Sequence, residues 1–458
     1  MGPVEGWTLN GRRIPEATGF EKMIAMFPRR AFLKRALMGA AACAAAPGLV
    51  PRAALGQEGR PAASNRIALG CIGVGWMGTR NLESFLAQPD CQVRALCDVD
   101  QNHAENAKNL VNQHYGNQDC RVYYDFRELL ARPDIDALSL ALPDHWHAIP
   151  AILAARAGKD IYGEPPLAHS LREGRAICSA VTRYARVWQT GSWQRSESNF
   201  RLAAELVRNG RIGKVHRVEV GLPSGHTDFA GTAGQETPGK PPAALDYDLW
   251  LGPAPWAPYC PARVHRNWRW HLDYGGGQLL DWVGHHVDIA HWGMGCDQTG
   301  PVEIEGTGEY PRTGLWNTAT KCRVTAQYRN GVSLTIAGGS ADIRSGTRWV
   351  GDRGWVWVDR GGLETQPKEL LQERLGPNET LLPRSPGHHR DFLDCVKSRR
   401  LTLTPVEVAH RSATPGHLGQ IAMLLGRKVR WNPDTEEVLE DPVAARMLGS
   451  ALREPWTL

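Results

Sequence analysis

The chain lacks the marks of several protein classes. The apolar, Ala-rich run from Ala36 to Ala46 is too short to cross a bilayer as a permanent span. None of the ten cysteines forms a Cys-x-x-Cys pair, which argues against a zinc site. There is no internal repeat and no long disordered tract. The net charge of +5 is also local: the first 56 residues hold eight Lys/Arg against three Glu, and that excess accounts for all of it. The remaining residues are balanced, so charge gives no reason to expect a nucleic-acid partner. What the chain does have, in its first 56 residues, is Arg29-Arg30-Ala31-Phe32-Leu33-Lys34 and then that short apolar run, with Ala54 and Gly56 before Gln57. This reads as a twin-arginine signal peptide cleaved before Gln57. It implies the export machinery as a partner and a periplasmic or otherwise exported product. Met23 or Met26 fits as the start of such a signal.

Behind the leader, Ile67 to Ile72 is an apolar strand that runs into Gly73-Val74-Gly75-Trp76-Met77-Gly78. A helix is expected from Trp76 to Ala87, and twenty residues past Gly78 a second strand ends on Asp98. That is the dinucleotide fingerprint in its proper context. Gly73 permits the tight turn, Gly75 lets backbone approach a pyrophosphate, and Gly78 lets the helix close on the strand. The helix N-terminus offers free N–H groups to the phosphates.

From Arg66 to Gly191, strand runs at 67–72, 92–97, 121–124, 137–142, 160–162 and 187–190 alternate with helical segments such as 148–157 and 171–184. Alternation predicts a doubly wound parallel sheet, hence an α/β Rossmann domain over 66–191. Its ligand edge, beyond the strand C-termini, carries Gly73–Gly78, Asp98, Pro143 to His147 and Glu164-Pro165-Pro166. Past Gly191 the pattern changes. Helix 199–209, strand 215–222, a long Pro-, Gly- and Trp-rich loop 223–274, helix 278–292 and hairpins at 320–337 and 349–358 predict an α+β domain over 192–458. The segment 388–425 reads as helical and is expected to return to the first domain. Cys71, Cys97 and Cys178 read as core residues, Trp355 and Trp357 as sheet packing, and His388-His389 as a capping or surface pair.

The expected helix 278–292 sets Asp281, His285 and Asp288 at i, i+4 and i+7, on one face behind three glycines. A carboxylate beside a His is an acid–base pairing; the alternative is a merely solvated polar face. No ligand set is complete, so no metal is expected.

These elements in order, Gly73-x-Gly75-x-x-Gly78, Asp98, Pro143-x-x-x-His147, Glu164-Pro165-Pro166 and Gly275-Gly276-Gly277-x-x-x-Asp281-x-x-x-His285, resemble the Gfo/Idh/MocA oxidoreductases from about Arg66 onward. The resemblance implies a Rossmann domain, and an α+β domain whose large, mostly antiparallel open sheet often forms the interface of a homo-oligomer. It implies NAD- or NADP-dependent chemistry on a ring carbon of a sugar, cyclitol or glycoside. By it His285 is the acid/base and Asp281 holds the substrate and orients His285. Glu164 and the loop from Pro143 to His147 border the nicotinamide ribose. Asp98 takes the adenosine ribose hydroxyls and so favours NAD over NADP. Gln194 and Arg195 line the substrate pocket, together with Arg269 and the Trp-rich stretch around it. One departure stands out: the family usually has Lys where this chain has Pro165. It leaves three readings open. His285 works alone or borrows Arg195, Arg269 or Tyr274; or the reaction differs, such as redox-assisted glycoside cleavage; or the protein is a catalytically impaired sugar-binding relative.

Overall fold

The computed structural model describes residues 61–458; the leader and cleavage site expected over residues 1–56 lie outside them. Six strands form the first sheet: β1 (Ile67–Ile72), β2 (Cys91–Cys97), β3 (Arg121–Tyr123), β4 (Ala137–Leu140), β5 (Asp160–Gly163) and β6 (Trp188–Thr190). All pair in parallel in the order β3-β2-β1-β4-β5-β6. The order reverses between β1 and β4, which opens a crevice at their C-terminal ends. Helices cover both faces, so the central strands β1 and β4 are almost entirely buried and read as largely apolar runs. Cys71, Cys97 and Cys178 are buried, as expected.

The second sheet has nine strands: β7 (Val215–Leu222), β8 (Glu303–Glu309), β9 (Lys321–Gln327), β10 (Ser333–Gly338), β11 (Gly346–Gly351), β12 (Gly354–Asp359), β13 (Gly362–Gln366), β14 (Val429–Asn432) and β15 (Glu437–Leu439). Their order is β13-β12-β11-β7-β10-β9-β8-β14-β15, antiparallel except for β7 with β10. One face buries Val218, Val220, Val324, Leu334, Ile336, Trp349 and Val356 in a core shared with helices Ser198–Arg208, Asp288–Met294 and Val406–Leu425. Trp349 pairs with Val356 across the sheet, so Trp355 and Trp357 point to the opposite face. There they pack under Arg348 and Arg344.

The helix His388–Ser398 does return to the first sheet, where Phe392, Leu393 and Cys395 share a core with Leu69 and Phe85. His388 is therefore no surface residue: it is buried, and its Nε2 lies 2.9 Å from the Thr190 carbonyl oxygen. The loop 223–274 also has a fixed place. Its stretch 244–246 lies beside 99–101, with Gln101 N–H donating to the Ala244 carbonyl and Asp246 N–H to the Val99 carbonyl (2.9 and 3.0 Å). A turn further on, the Trp146 indole N–H donates to the Trp250 carbonyl (2.9 Å). The loop is thus a strap over the crevice, tied at both sides. No helix among the described residues is long and apolar enough to cross a membrane.

Candidate functional site

One cavity of about 390 Å³ runs along the crevice. Gly73, Gly75, Trp76, Met77, Asp98, Pro143 and Glu164 line one part; Pro165, Arg266, Trp268, Arg269, Asp281 and His285 line the other. The strap contributes Leu245, Leu249, Trp250 and His265.

The three fingerprint glycines have different reasons to be glycine. Gly73 has φ +78°, and a Cβ there would lie 2.2 Å from the Ala141 carbonyl oxygen. A Cβ on Gly78 would lie 2.0 Å from the Gly73 carbonyl oxygen. A Cβ on Gly75 would meet only the His103 ring, at 3.4 Å, so this face of the turn is open to a ligand. The helix Trp76–Leu86 starts without a side-chain cap, which leaves its first N–H groups for an anion. This cradle fits a dinucleotide pyrophosphate. Val74 and Gly78 shape it without lining the cavity. Val74 N–H donates to Asp98 Oδ2 (2.8 Å) and Asp100 N–H to Asp98 Oδ1 (2.9 Å), which fixes the carboxylate at the end of β2. His103 Nδ1 lies 3.7 Å from Asp98 Oδ2, and that carboxylate raises the His103 pKa. Sequence reasoning did not bring together Asp100, His103 and His265, whose donor atoms fall within 4.8 Å of one another. Such a group could hold a metal ion, and it walls the cavity beside Asp98.

At the other end, Arg269 Nε donates to Asp281 Oδ1 (2.9 Å), and the guanidinium lies over the Trp268 ring. Asp281 thus pairs with Arg269 rather than with His285. The Nδ1 of His285 is buried without a protein partner. Burial, reinforced by the positive Arg360, holds this imidazole well below its usual range, so it is neutral. Glu164 accepts from Asn81 Nδ2 (2.7 Å), yet burial pushes its carboxyl up to about 7. Pro165 packs against the backbone of Gly284, where a Cβ would lie 2.4 Å from the proline Cβ.

The expected single helix is interrupted. Gly277–Trp282 and Asp288–Met294 are α-helical, but Val283–Val287 is a π-helical turn. Its carbonyls bond sideways: Gln194 Nε2 donates to His285 O (3.3 Å) and Thr347 Oγ1 to His286 O (2.8 Å). The extra residue rotates the remainder of the helix by about 100°. Asp281 and His285 face the cavity, while Asp288 turns into the core.

Besides Val74 and Gly78, four more expected site residues lie off the cavity. Arg195 is buried and donates to Asp288 (2.7 and 2.8 Å) and Asp297 (2.8 Å), because the rotated Asp288 needs a cation. Gln194 is fully buried, holding the π turn from behind and accepting from Arg360 Nε (3.2 Å). Tyr274 is fully buried, with its hydroxyl accepting from Arg263 Nη1 (3.1 Å). His147 sits between the carbonyl oxygens of Pro166 (2.7 Å) and Leu142 (2.8 Å), where it braces the loop after β4. Of the cations and donors suggested for the Pro165 gap, Arg269 alone reaches the cavity. Sequence reasoning named Asp144 only as part of the loop Pro143 to His147, and it missed Arg266 and the strap residues, for which the unbroken length of 223–274 was the one signal.

Two family models match the chain: the oxidoreductase family NAD-binding Rossmann fold over residues 67–192, and the oxidoreductase family C-terminal alpha/beta domain over 197–458. The chain belongs to the Gfo/Idh/MocA oxidoreductase family. It is 25% identical over 227 residues to myo-inositol 2-dehydrogenase of Thermotoga maritima, covering 50% of this chain and 54% of that one. It is 31% identical over 162 residues to glycosyl hydrolase family 109 protein 2 of Shewanella sp. (strain ANA-3), covering 32% and 35%. It is 30% identical over 157 residues to the uncharacterized oxidoreductase YrbE of Bacillus subtilis, covering 34% and 44%. The match thus spans between a third and just over half of these relatives. The fold is also that of scyllo-inositol dehydrogenase from Lactobacillus casei, solved with NAD(H) and scyllo-inositol (TM-score 0.56, 15% identity, 80% of this chain and 99% of that one). The WlbA dehydrogenase from Bordetella pertussis, solved with NADH and UDP-GlcNAcA, gives a TM-score of 0.59 at 16% identity (80% and 99%). Within this Gfo/Idh/MocA chain, the cavity joins the Rossmann crevice to a second half whose polar groups come from the C-terminal domain.

Proposed function

We propose that this protein is an exported, NAD-dependent oxidoreductase that acts on a ring hydroxyl of a sugar, cyclitol or glycoside and keeps its cofactor tightly bound. The observation that carries this reading is the continuity of the cavity from Gly75 and Asp98 to Asp281 and His285. The pyrophosphate is held at Gly75 and the helix N-terminus, and the adenosine ribose hydroxyls by Asp98, whose negative charge repels a 2′-phosphate. When bound, the nicotinamide supplies the acceptor for two electrons. His285, which lines the cavity, takes the hydroxyl proton on its imidazole. The Asp281–Arg269 pair binds neighbouring hydroxyls, and Trp268 offers a flat apolar face to the ring. The strap supports retention, since Leu245 and Trp250 line the cavity where a nucleotide would lie. Export supports it too, because no free NAD pool is expected outside the cytoplasm. A homo-oligomer joined through the open face of the nine-stranded sheet belongs to the same proposal, with mass in solution as its check. The test is to denature purified protein, identify the released nucleotide, and screen sugars and cyclitols for its reduction. Protein that carries no nicotinamide nucleotide and binds none defeats the reading.

Redox-assisted glycoside cleavage is the second reading. It is favoured by the family 109 glycosyl hydrolase relatives, which match this chain at up to 31% identity. Transient ring oxidation would acidify the neighbouring C–H and expel the leaving group. Solvent deuterium at that carbon of the product separates it from simple dehydrogenation.

A further inference from the structure

Asp144 opens the short turn Asp144–Trp146 in the loop after β4, and it lines the same cavity as Asp281, Arg269 and His285. It is 3% exposed. One of its oxygens lies where a Cβ on Gly275 would approach to 3.3 Å, and the backbone N–H of Gly276 faces it. No cation among the described residues comes within ion-pairing distance of it. Arg269, facing it from the turn His265–Trp270, is held by Asp281.

Oxidation of a hydroxyl gathers negative charge on oxygen, and that oxygen needs a donor. His285 is the group that takes the proton, Pro165 has no N–H, and Arg269 spends its Nε on Asp281. We propose that Asp144 is a catalytic residue that works as a neutral acid: its carboxyl O–H donates to the substrate oxygen on the side away from His285. The inference rests on the oxidoreductase reading. In the step, the hydroxyl O–H bond breaks and its proton goes to His285. The C–H bond breaks as C=O forms, and its hydrogen would leave with the electron pair as hydride to a nicotinamide that the Gly75 and Asp98 cradle would hold. Asp144 keeps its proton, and its hydrogen bond shortens as charge builds.

The surroundings favour the protonated form. Burial acts first. Asp281 from the helix Gly277–Trp282 and Glu173 from the helix Leu171–Arg183 add negative charge, while Arg269 and Gly276 N–H oppose them, leaving the Asp144 pKa well above the usual carboxylate range. Glu164, at the end of β5, also lines the cavity and is itself pushed up to about 7. His145, next in the chain, is held neutral by burial. Deprotonation of Asp144 would replace a donor with a negative charge facing the reacting oxygen, so the oxidation rate falls as pH rises through this pKa.

The test uses full-length protein with its bound nucleotide, and the variants Asp144→Asn and Asp144→Ala. Infrared difference spectra of wild type against Asp144→Asn at neutral pH should show a protonated-carboxyl C=O band present in the wild type alone. In single-turnover reduction of the bound nucleotide, Asp144→Asn, which keeps a neutral donor, should stay within about tenfold of wild type and lose the alkaline fall in rate. Asp144→Ala should drop about 100-fold. Absence of the infrared band, or an Asp144→Ala rate equal to wild type, overturns the role of Asp144. Wild-type protein without nicotinamide nucleotide overturns the oxidoreductase reading beneath it, a separate and distinguishable result.

Discussion

Replacing Arg195 by Met separates a structural cation from a substrate-binding one. Arg195 and Asp288 are 3% and 1% exposed, and the guanidinium donates twice to the Asp288 carboxylate and once closely to Asp297. Met keeps most of the side-chain volume and removes the charge. Asp288 is then left with the Ser412 hydroxyl, 2.8 Å away, as its one side-chain donor. Leaving one member of a buried ion pair uncompensated costs about 3–5 kcal/mol, a large part of the roughly 5–15 kcal/mol that holds a typical domain together. Asp297 is less buried and still has solvent, so most of the loss comes from Asp288. Urea unfolding monitored by Trp fluorescence is well placed to measure this, because Arg195 lies 5.2 Å from the Trp292 ring. The variant Asp288→Asn in the Arg195→Met background should regain a substantial part of the loss, since it removes the orphaned charge. The activity of folded Arg195→Met protein at low temperature should match the parent. A midpoint unchanged within about 0.5 kcal/mol, combined with lost substrate binding, would refute the structural assignment and return Arg195 to the site.

The two cofactor-turn glycines should respond differently. Gly73→Ala forces a Cβ into the Ala141 carbonyl at positive φ and should lower the thermal midpoint, whereas Gly75→Ala should unfold like the parent but lose nucleotide affinity in a titration. Glu173, buried with its pKa raised to about 7, binds its proton more tightly folded than unfolded. Stability should therefore fall as pH rises from about 4.5 to about 7, by at most ~3 kcal/mol; Glu173→Gln should flatten that slope in urea midpoints taken at pH 5 and pH 8. Arg269→Met should lower kcat/KM by about 100-fold while leaving the amount of copurified nucleotide unchanged.

The Rossmann half was legible because its signals are local. Strands buried on both faces are apolar throughout, and the glycine spacing reflects backbone contacts within about ten residues of sequence and the neighbouring strand. The expected strand bounds agree with β1, β2 and β5 to within a residue and with β4 to within two. In the second sheet the β9–β10 and β11–β12 hairpins were legible from alternation and turn residues. Strand β8, with alternate residues exposed and two glycines, and the short β13, β14 and β15 carry too little apolar pattern to stand out. At the site, Asp281 and His285 line one cavity. The errors arose where tertiary contacts decide. Sequence cannot tell a cation that meets a ligand from one that neutralises a buried acid, which is why Arg195 was misread. The π turn depends on Gln194, Thr347 and Pro165 arriving from three distant segments, and a periodicity of 3.6 does not register them. Asp144 was placed at the ligand edge but given no role of its own, because a carboxyl in a short loop carries no pattern until Gly275 and Gly276 are seen against it.

The π turn makes helix length, rather than composition, the quantity on which two parts of the protein jointly depend. Deleting a single residue within 283–287 would restore the ordinary α-helical period and turn everything beyond it by about 100°. Asp288 would swing toward the cavity as an additional acid, and Arg195 would keep its charge in the core with Asp297 alone. One codon lost would thus move negative charge from the interior to the reaction site. No substitution at these five positions makes that exchange, and a single-residue deletion does so without changing the chemistry of any side chain.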